Sequence, residues 1–218
     1  MKKSMDSRFL KKILTDHEIE IVNLAQNSDT ALWSFWACKE AAYKVIKKSH
    51  NEDSFMPRRW SVNIGLPWAK HPAFSGNESN DRMINNIGQH IQSQTSYRKG
   101  QVIIPGREAV DVRLFSHPSY VHCVGADSLS TLDNLSWGID ILPERGDGRN
   151  GNPSSFARQC LVRSLAGFLH LNSSEIKIKR IKKGAALQPP GVYIGGKRAA
   201  IDISLSHDGR VVAYTFIS

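Results

Sequence analysis

The chain has 218 residues, 40% of them hydrophobic and 22% charged, and a formal net charge of +9; this suits one large or two small globular domains and favours an anionic partner, whether a nucleic acid, a phosphorylated cofactor, an acidic protein or a membrane surface. No stretch approaches the length of a membrane span, and the opening MKKSMDSRF has the charges of a signal peptide without an apolar run behind them. The three cysteines, Cys38, Cys123 and Cys160, are far apart in sequence and show neither metal spacing nor a disulfide framework, so the expected compartment is a reducing cytoplasm.

Residues 6 to 14 place Phe9, Leu10, Ile13 and Leu14 on one helical face, with Asp6 as N-cap. TDHEIEIVNLA restarts a helix, Thr15 and Glu18 having capping-box spacing. NSDTA then separates it from the helix LWSFWACKEAAYKVIKK, residues 32 to 48. Phe35, Cys38, Ala42, Val45 and Ile46 form the apolar stripe of that helix, while Trp36, Glu40, Lys44 and Lys47 follow one another on a neighbouring face. A polar stretch from about residue 70 to 100 reads as a long surface loop or an insertion. Short strands recur in QVII, AVDVRLF, YVHCVGA and SWGIDIL.

PERGDGRNGNPSS, about residues 143 to 155, is the clearest linker. Beyond it SFARQCLVRSLAGFLHL is an amphipathic helix that Ser154 or Ser155 can cap, with Phe156, Cys160, Leu161, Leu165, Phe168 and Leu169 pointing inward. EIKIKRI alternates as a half-buried strand does, and the last segment reads as a hairpin around Asp208-Gly209. The pattern predicts an α+β protein of two similar halves, each a long helix packed on a small antiparallel sheet. One half is residues 1–142 and the other 143–218.

Glu40 and Lys44 admit two readings. A glutamate four residues before a lysine is a common surface ion pair, contributing roughly 0.2–0.5 kcal/mol. The same pair at the edge of a cleft is suited to a metal and a phosphate. Three fragments bear on the choice. RFLKKILTDHE followed by WSFWACKEAAYK resembles the region of 4'-phosphopantetheinyl transferases that holds their W-x-x-K-E-x-x-x-K motif, here Trp36, Lys39, Glu40 and Lys44. ISLSHDGRVVAYTF resembles the Ser-His motif of the same superfamily, with Ser206 and His207 near a strand end. ARQCLVRSLAGFLHLNSSEIKIKRIKKGAALQPP resembles the helix, strand and loop that precede the Ser-His motif in its pseudodimeric members.

The order of these fragments is rotated relative to those members, in which the Ser-His motif comes first, a Gly-x-Asp strand follows and the K-E helix comes last. The arrangement resembles a circular permutation, or a chain lacking its first metal motif. One Gly-x-Asp is in WGIDILP. It is either the relocated metal strand, with Asp140 as ligand, or the first strand of the other half, which precedes an R-x-x-L-x-R helix and needs no acid. Its place just before Arg158, Leu161 and Arg163 favours the second.

The resemblance implies a pseudodimeric fold and Mg²⁺-dependent transfer of 4'-phosphopantetheine from coenzyme A to a serine of an acidic acyl or peptidyl carrier protein of fatty-acid or polyketide assembly, releasing 3',5'-ADP. It implies Glu40, with Asp140, as metal ligand, and Glu40 and Lys44 as the catalytic pair. Lys39, Ser206, His207, Arg158 and Arg163 are implied as coenzyme A contacts. The turn KKGAALQPP keeps Gly184 and Pro189 of the family's Gly-Lys-Pro turn without its lysine, for which Lys182 or Lys183 would substitute. The expected state is a monomer or homodimer with no membrane or nucleic-acid partner. Two rivals remain: a non-catalytic relative serving as a binding or assembly module, and a basic nucleic-acid-binding protein. The basic residues read as scattered, and no helix-turn-helix, zinc or RNA-recognition motif supports the second.

Overall fold

A computed structural model describes residues 3–49, 54–65, 96–143, 151–183 and 186–218, and the chain is α+β throughout. Most of the expected 70–100 loop, most of the linker, and Gly184 lie outside the described residues. The chain divides into two compact units, with the boundary between Asp133 and Asn134.

The first unit opens with α1 (Ser7–Ile13), capped by the Asp6 side chain. α2 (Asp16–Leu24) follows, closed at its start by the Thr15–Glu18 capping box. α3 (Ser28–Ser49) begins four residues earlier than its apolar pattern predicts, absorbing most of NSDTA. Asn27 explains the early start, its side chain accepting the Thr30 amide as an N-cap does. β1 (Ser61–Ile64), β2 (Ser96–Ile103), β3 (Val110–His117) and β4 (Tyr120–Ala126) form a four-stranded antiparallel sheet in sequence order. β2 thus claims residues 96–100 from the expected loop. The short helix α4 (Leu129–Asn134) follows.

The inward stripe of α3 is as its spacing requires: Cys38, Ala42 and Ile46 are buried against Val102, Val110, Val112 and Leu114 of the sheet, while Phe35 packs with α1 and α2. Each large apolar side chain so buried contributes about 1.5–3 kcal/mol. Cys38 and Cys123, far apart in sequence, meet here with their sulfurs 3.6 Å apart, both as free thiols. Burial pushes the Cys123 thiol well above its ordinary range, and the neighbouring Cys38 adds to the shift.

In the second unit β5 (Ser136–Ile141) pairs with β12 (Val211–Ile217), which also pairs with β11 (Asp202–Asp208). The WGID strand therefore lies in the second unit. α5 (Pro153–Leu169) is capped by Asn152, whose side chain accepts the Ser155 amide. That displaces the expected serine caps by two or three residues, because Pro153 takes the first helical position. β6 (Ile176–Lys179), β9 (Gly191–Ile194) and β10 (Lys197–Arg198) make a second antiparallel sheet, and β7 (Lys182–Lys183) and β8 (Ala186–Leu187) a small ladder. The core of the unit joins Ala157, Cys160, Leu161 and Leu165 of α5 to Val212, Tyr214 and Phe216 of β12. Phe168, expected inside, is 38% exposed but keeps its ring 5.4 Å from that of Phe216. The final hairpin turns on Gly209 and Arg210, one residue later than expected, Gly209 taking φ +53°.

Gly138 stands directly opposite Tyr214 on the neighbouring strand. A Cβ there would lie 2.4 Å from the Tyr214 hydroxyl oxygen. Gly138→Ala is therefore expected to destabilise the second unit by about 1–3 kcal/mol, the cost of an overpacked core. A thermal melt unchanged from wild type would refute this.

Candidate active site

The motif residues of α3 divide between two environments. Lys39 is fully buried. Its ammonium donates to the Glu18 carboxylate (2.5 Å to Oε2) and to the Ile13 carbonyl (2.9 Å). Glu18 also accepts the Thr15 amide (2.8 Å) and the Val62 amide (3.0 Å). One ion pair thus satisfies an orphan carbonyl at the end of α1, an orphan amide at the start of α2, and an amide of β1. Burial pulls the Lys39 pKa below that of an ordinary lysine, and the adjacent Glu18 charge opposes the shift. The resemblance implied a contact of Lys39 with coenzyme A; in the structure its donors are turned into the interior and engaged there.

Glu40 and Lys44 stay together at the edge of the stripe. The Lys44 ammonium is 3.1 Å from Glu40 Oε1, and the side chains are 33% and 43% exposed for Lys44 and Glu40 respectively. Both are thus reachable from solvent while seated on a packed helix. Trp36, first residue of the motif, packs edge-on against Phe55 at 5.6 Å, and Tyr43 lies 4.8 Å from the same ring. Phe55 in turn meets Trp60 at 5.3 Å. This aromatic cluster fixes the flank of α3 on which Glu40 sits.

His122 on β4 stacks on Phe115, ring centroids 6.0 Å apart. Burial holds its pKa down at about 3, and the Lys44 charge adds to the effect. An unfolded histidine has a pKa of about 6.5. Between those values the unfolded chain binds the proton that the native chain refuses, so this contribution to stability is complete above about 6.5 and is lost as pH falls towards about 3. His122→Phe is expected to flatten the pH dependence of thermal stability over that window; an unchanged profile would count against it.

In the second unit the structure brings Asp140 and Arg163 together around Cys160 and Tyr214. Arg163 Nη2 donates to Cys160 Sγ at 3.2 Å, and the Asp140 carboxylate lies close enough to act electrostatically on the same sulfur. Burial first, and Asp140 after the opposing bond from Arg163, push the thiol up to about 11. Burial and the Asp140 charge raise Tyr214 to about 12. Arg158 folds back onto its own helix, donating to the Ser154 carbonyl and hydroxyl at 3.1 Å each. His207 is exposed, in register with Val212, which is in register with Asp140. Asp140 and His207 therefore share a sheet face about two strand spacings, ~9.6 Å, apart. Ser206, the adjacent residue on β11, points to the opposite face, so it does not join His207 in a single contact.

Spacing along the chain could not disclose the Glu18–Lys39 pair, although the capping box had marked Glu18. Cys160 reads in sequence as apolar core and proves, with Tyr214, to be a polar neighbour of Asp140. Among the described residues no group of three or more His, Cys, Asp or Glu is placed to hold a metal ion, and no helix is long and apolar enough to cross a membrane.

No curated protein and no solved structure matches the chain. A family model does match residues 1–98, that of the 4'-phosphopantetheinyl transferase superfamily. That segment holds α1, α2 and the whole of α3 with Trp36, Lys39, Glu40 and Lys44, so this part of the chain is similar to the 4'-phosphopantetheinyl transferase superfamily.

Proposed function

We propose that the protein transfers 4'-phosphopantetheine from coenzyme A to a serine hydroxyl of an acidic acyl or peptidyl carrier protein, releasing 3',5'-ADP. The observation that carries this reading is the half-exposed Glu40–Lys44 pair, one turn apart on α3 within the segment that matches the superfamily. The serine oxygen attacks the phosphorus next to the pantetheine arm, and the phosphoanhydride bond to the 3',5'-ADP breaks. Glu40 is suited to accept the serine proton, since a carboxylate on the solvent side of a rigid helix can come within hydrogen-bond reach of a docked hydroxyl. Lys44 supplies a compact positive charge to the leaving phosphate, where charge grows as the bond lengthens.

Mg²⁺ fits the donor chemistry of this site in kind. Glu40 offers a hard, accessible carboxylate oxygen, and Mg²⁺ is held by one or two carboxylates with the remaining positions filled by substrate phosphates and water. Bound there, it would supply charge neutralisation for the pyrophosphate. In the second unit, His207 and Arg163 are the exposed groups suited to the phosphates and adenosine of coenzyme A.

A reading as a non-catalytic binding module is motivated by the place of the WGID strand in the second unit, outside the segment that matches the superfamily. Transfer of labelled phosphopantetheine to an acidic carrier protein, with Mg²⁺ present and then chelated, separates the two. Label on the carrier that disappears on chelation supports the transferase; coenzyme A binding without metal dependence and without transfer supports the module.

A further inference from the structure

The first unit holds a pair of sulfurs that the transfer reading does not use. Cys38 stands on α3, two residues before Glu40, and Cys123 stands on β4. Small residues bring the helix down onto this strand. A Cβ on Gly125, two residues along the same face of β4, would lie 3.5 Å from the backbone carbonyl carbon of Ala41. Ala42, next on the helix, is fully buried. With so little side chain between helix and strand, the two thiols meet at 3.6 Å. Cys38 is fully buried and Cys123 partly so, both against the apolar layer of Val102, Val110, Val112 and Leu114.

A disulfide holds its sulfurs about 2.05 Å apart. From 3.6 Å they must close by about 1.5 Å, which small rotations about the two Cα–Cβ bonds supply. We propose that Cys38 and Cys123 form a redox clamp, a dithiol under reducing conditions and a disulfide fastening α3 to β4 on exposure to hydrogen peroxide. In the first step one sulfur, as thiolate, attacks a peroxide oxygen. The O–O bond breaks, the sulfur becomes a sulfenic acid, and the departing hydroxide takes up the proton of the thiol as water. In the second step the other sulfur gives up its proton and attacks the sulfenic sulfur. The S–S bond forms and the sulfenic oxygen leaves as a second water, so two electrons pass from the sulfur pair to the peroxide. Burial holds the Cys123 thiol protonated, so closure needs sustained rather than brief exposure.

The two cysteines are 85 residues apart, so the bond constrains the unfolded chain strongly. It also pins the helix that carries Glu40 and Lys44. Cys160 takes no part. Its sulfur accepts from Arg163, and with Cys38 and Cys123 joined to each other no third cysteine is left for it. The inference does not rest on the transfer reading, because its readouts need no coenzyme A.

The test compares the full chain kept reduced with the full chain incubated with hydrogen peroxide, each then unfolded and alkylated. The three alkylated cysteines of the reduced sample are expected to fall to one, with Cys38 and Cys123 recovered in one cross-linked peptide that dithiothreitol separates. The oxidised protein should melt about 5 °C or more above the reduced one. Hydrogen exchange of its α3 amides should slow by about tenfold, while that of α5 changes little. Cys160→Ser should behave as wild type. Cys38→Ala keeps every methionine and should show neither the cross-link nor the gain, so a change it shares with wild type is not the clamp's. Cys123→Ala replaces it if it does not fold, and the comparison of reduced with oxidised wild type needs neither variant. Recovery of Cys38 and Cys123 as thiols or as sulfinic acids would overturn the inference. So would a cross-link between two chains, or a bond that leaves the melting temperature and α3 exchange unchanged.

Discussion

Glu40→Gln is expected to abolish phosphopantetheine transfer while leaving the protein folded and its melting temperature almost unchanged. The substitution keeps the shape and hydrogen-bonding capacity of the side chain and removes its charge. Glu40 is 43% exposed and its partner Lys44 sits one turn along the same helix. An exposed i,i+4 pair of this kind contributes at most a few tenths of a kcal/mol to stability. Its loss from a proton-accepting, metal-holding position should instead raise the barrier by several kcal/mol, and each 1.36 kcal/mol is tenfold in rate. Lys44→Met should follow with a smaller loss, since the charge it offers the leaving phosphate is shared with other groups. Initial transfer rates and thermal melts of both variants decide the matter. If Glu40→Gln retains most of the wild-type rate, the pair is a surface ion pair and nothing more.

Lys39→Met should do the reverse, costing stability on the order of 3–5 kcal/mol, the usual consequence of stripping one partner from a buried ion pair. Glu18 would keep its bonds from the Thr15 and Val62 amides. Its charge, however, would lose the only ammonium beside it among the described residues. Combining Lys39→Met with Glu18→Gln should recover much of the loss, because the stranded charge is then gone. Urea unfolding of the two single variants and the double variant measures the coupling. Additive losses would show that the pair is not the link that holds α1, α2 and β1 to α3.

Local rules made much of this fold legible in sequence, and distant pairings hid the rest. The Asp6 cap, the Thr15–Glu18 box and the α3 stripe each depend on residues within one or two turns, and each forms as its spacing requires. β1 and β9 have four residues each, too short for alternation to stand out, and they are defined by partners 36 to 42 and 12 to 18 residues away, at Ile64–Gly100 through Ser61–Ile103 and at Lys179–Gly191 through Ile176–Ile194. For the site, helical spacing was enough to join Glu40 to Lys44. It could not show that Lys39, adjacent in sequence, turns inward, because the acid that holds it lies on another helix. Nor could it show that Cys38 meets Cys123, because only the packing of α3 on β4 brings the two together.

The Glu18 carboxylate has a consequence for how the first unit opens. Ile13, Thr15, Lys39 and Val62 belong to four segments of the chain, and all four are tied through this one acid and the lysine it holds. Fraying α1, detaching β1 or lifting α2 each breaks a bond at a site where an unmatched group is costly, and weakens the bonds that remain. The three helices and the first strand therefore behave as a single cooperative foldon, whose buried amides are released to solvent exchange together. Glu40 and Lys44, carried on the outer face of that block, inherit its rigidity without contributing to it.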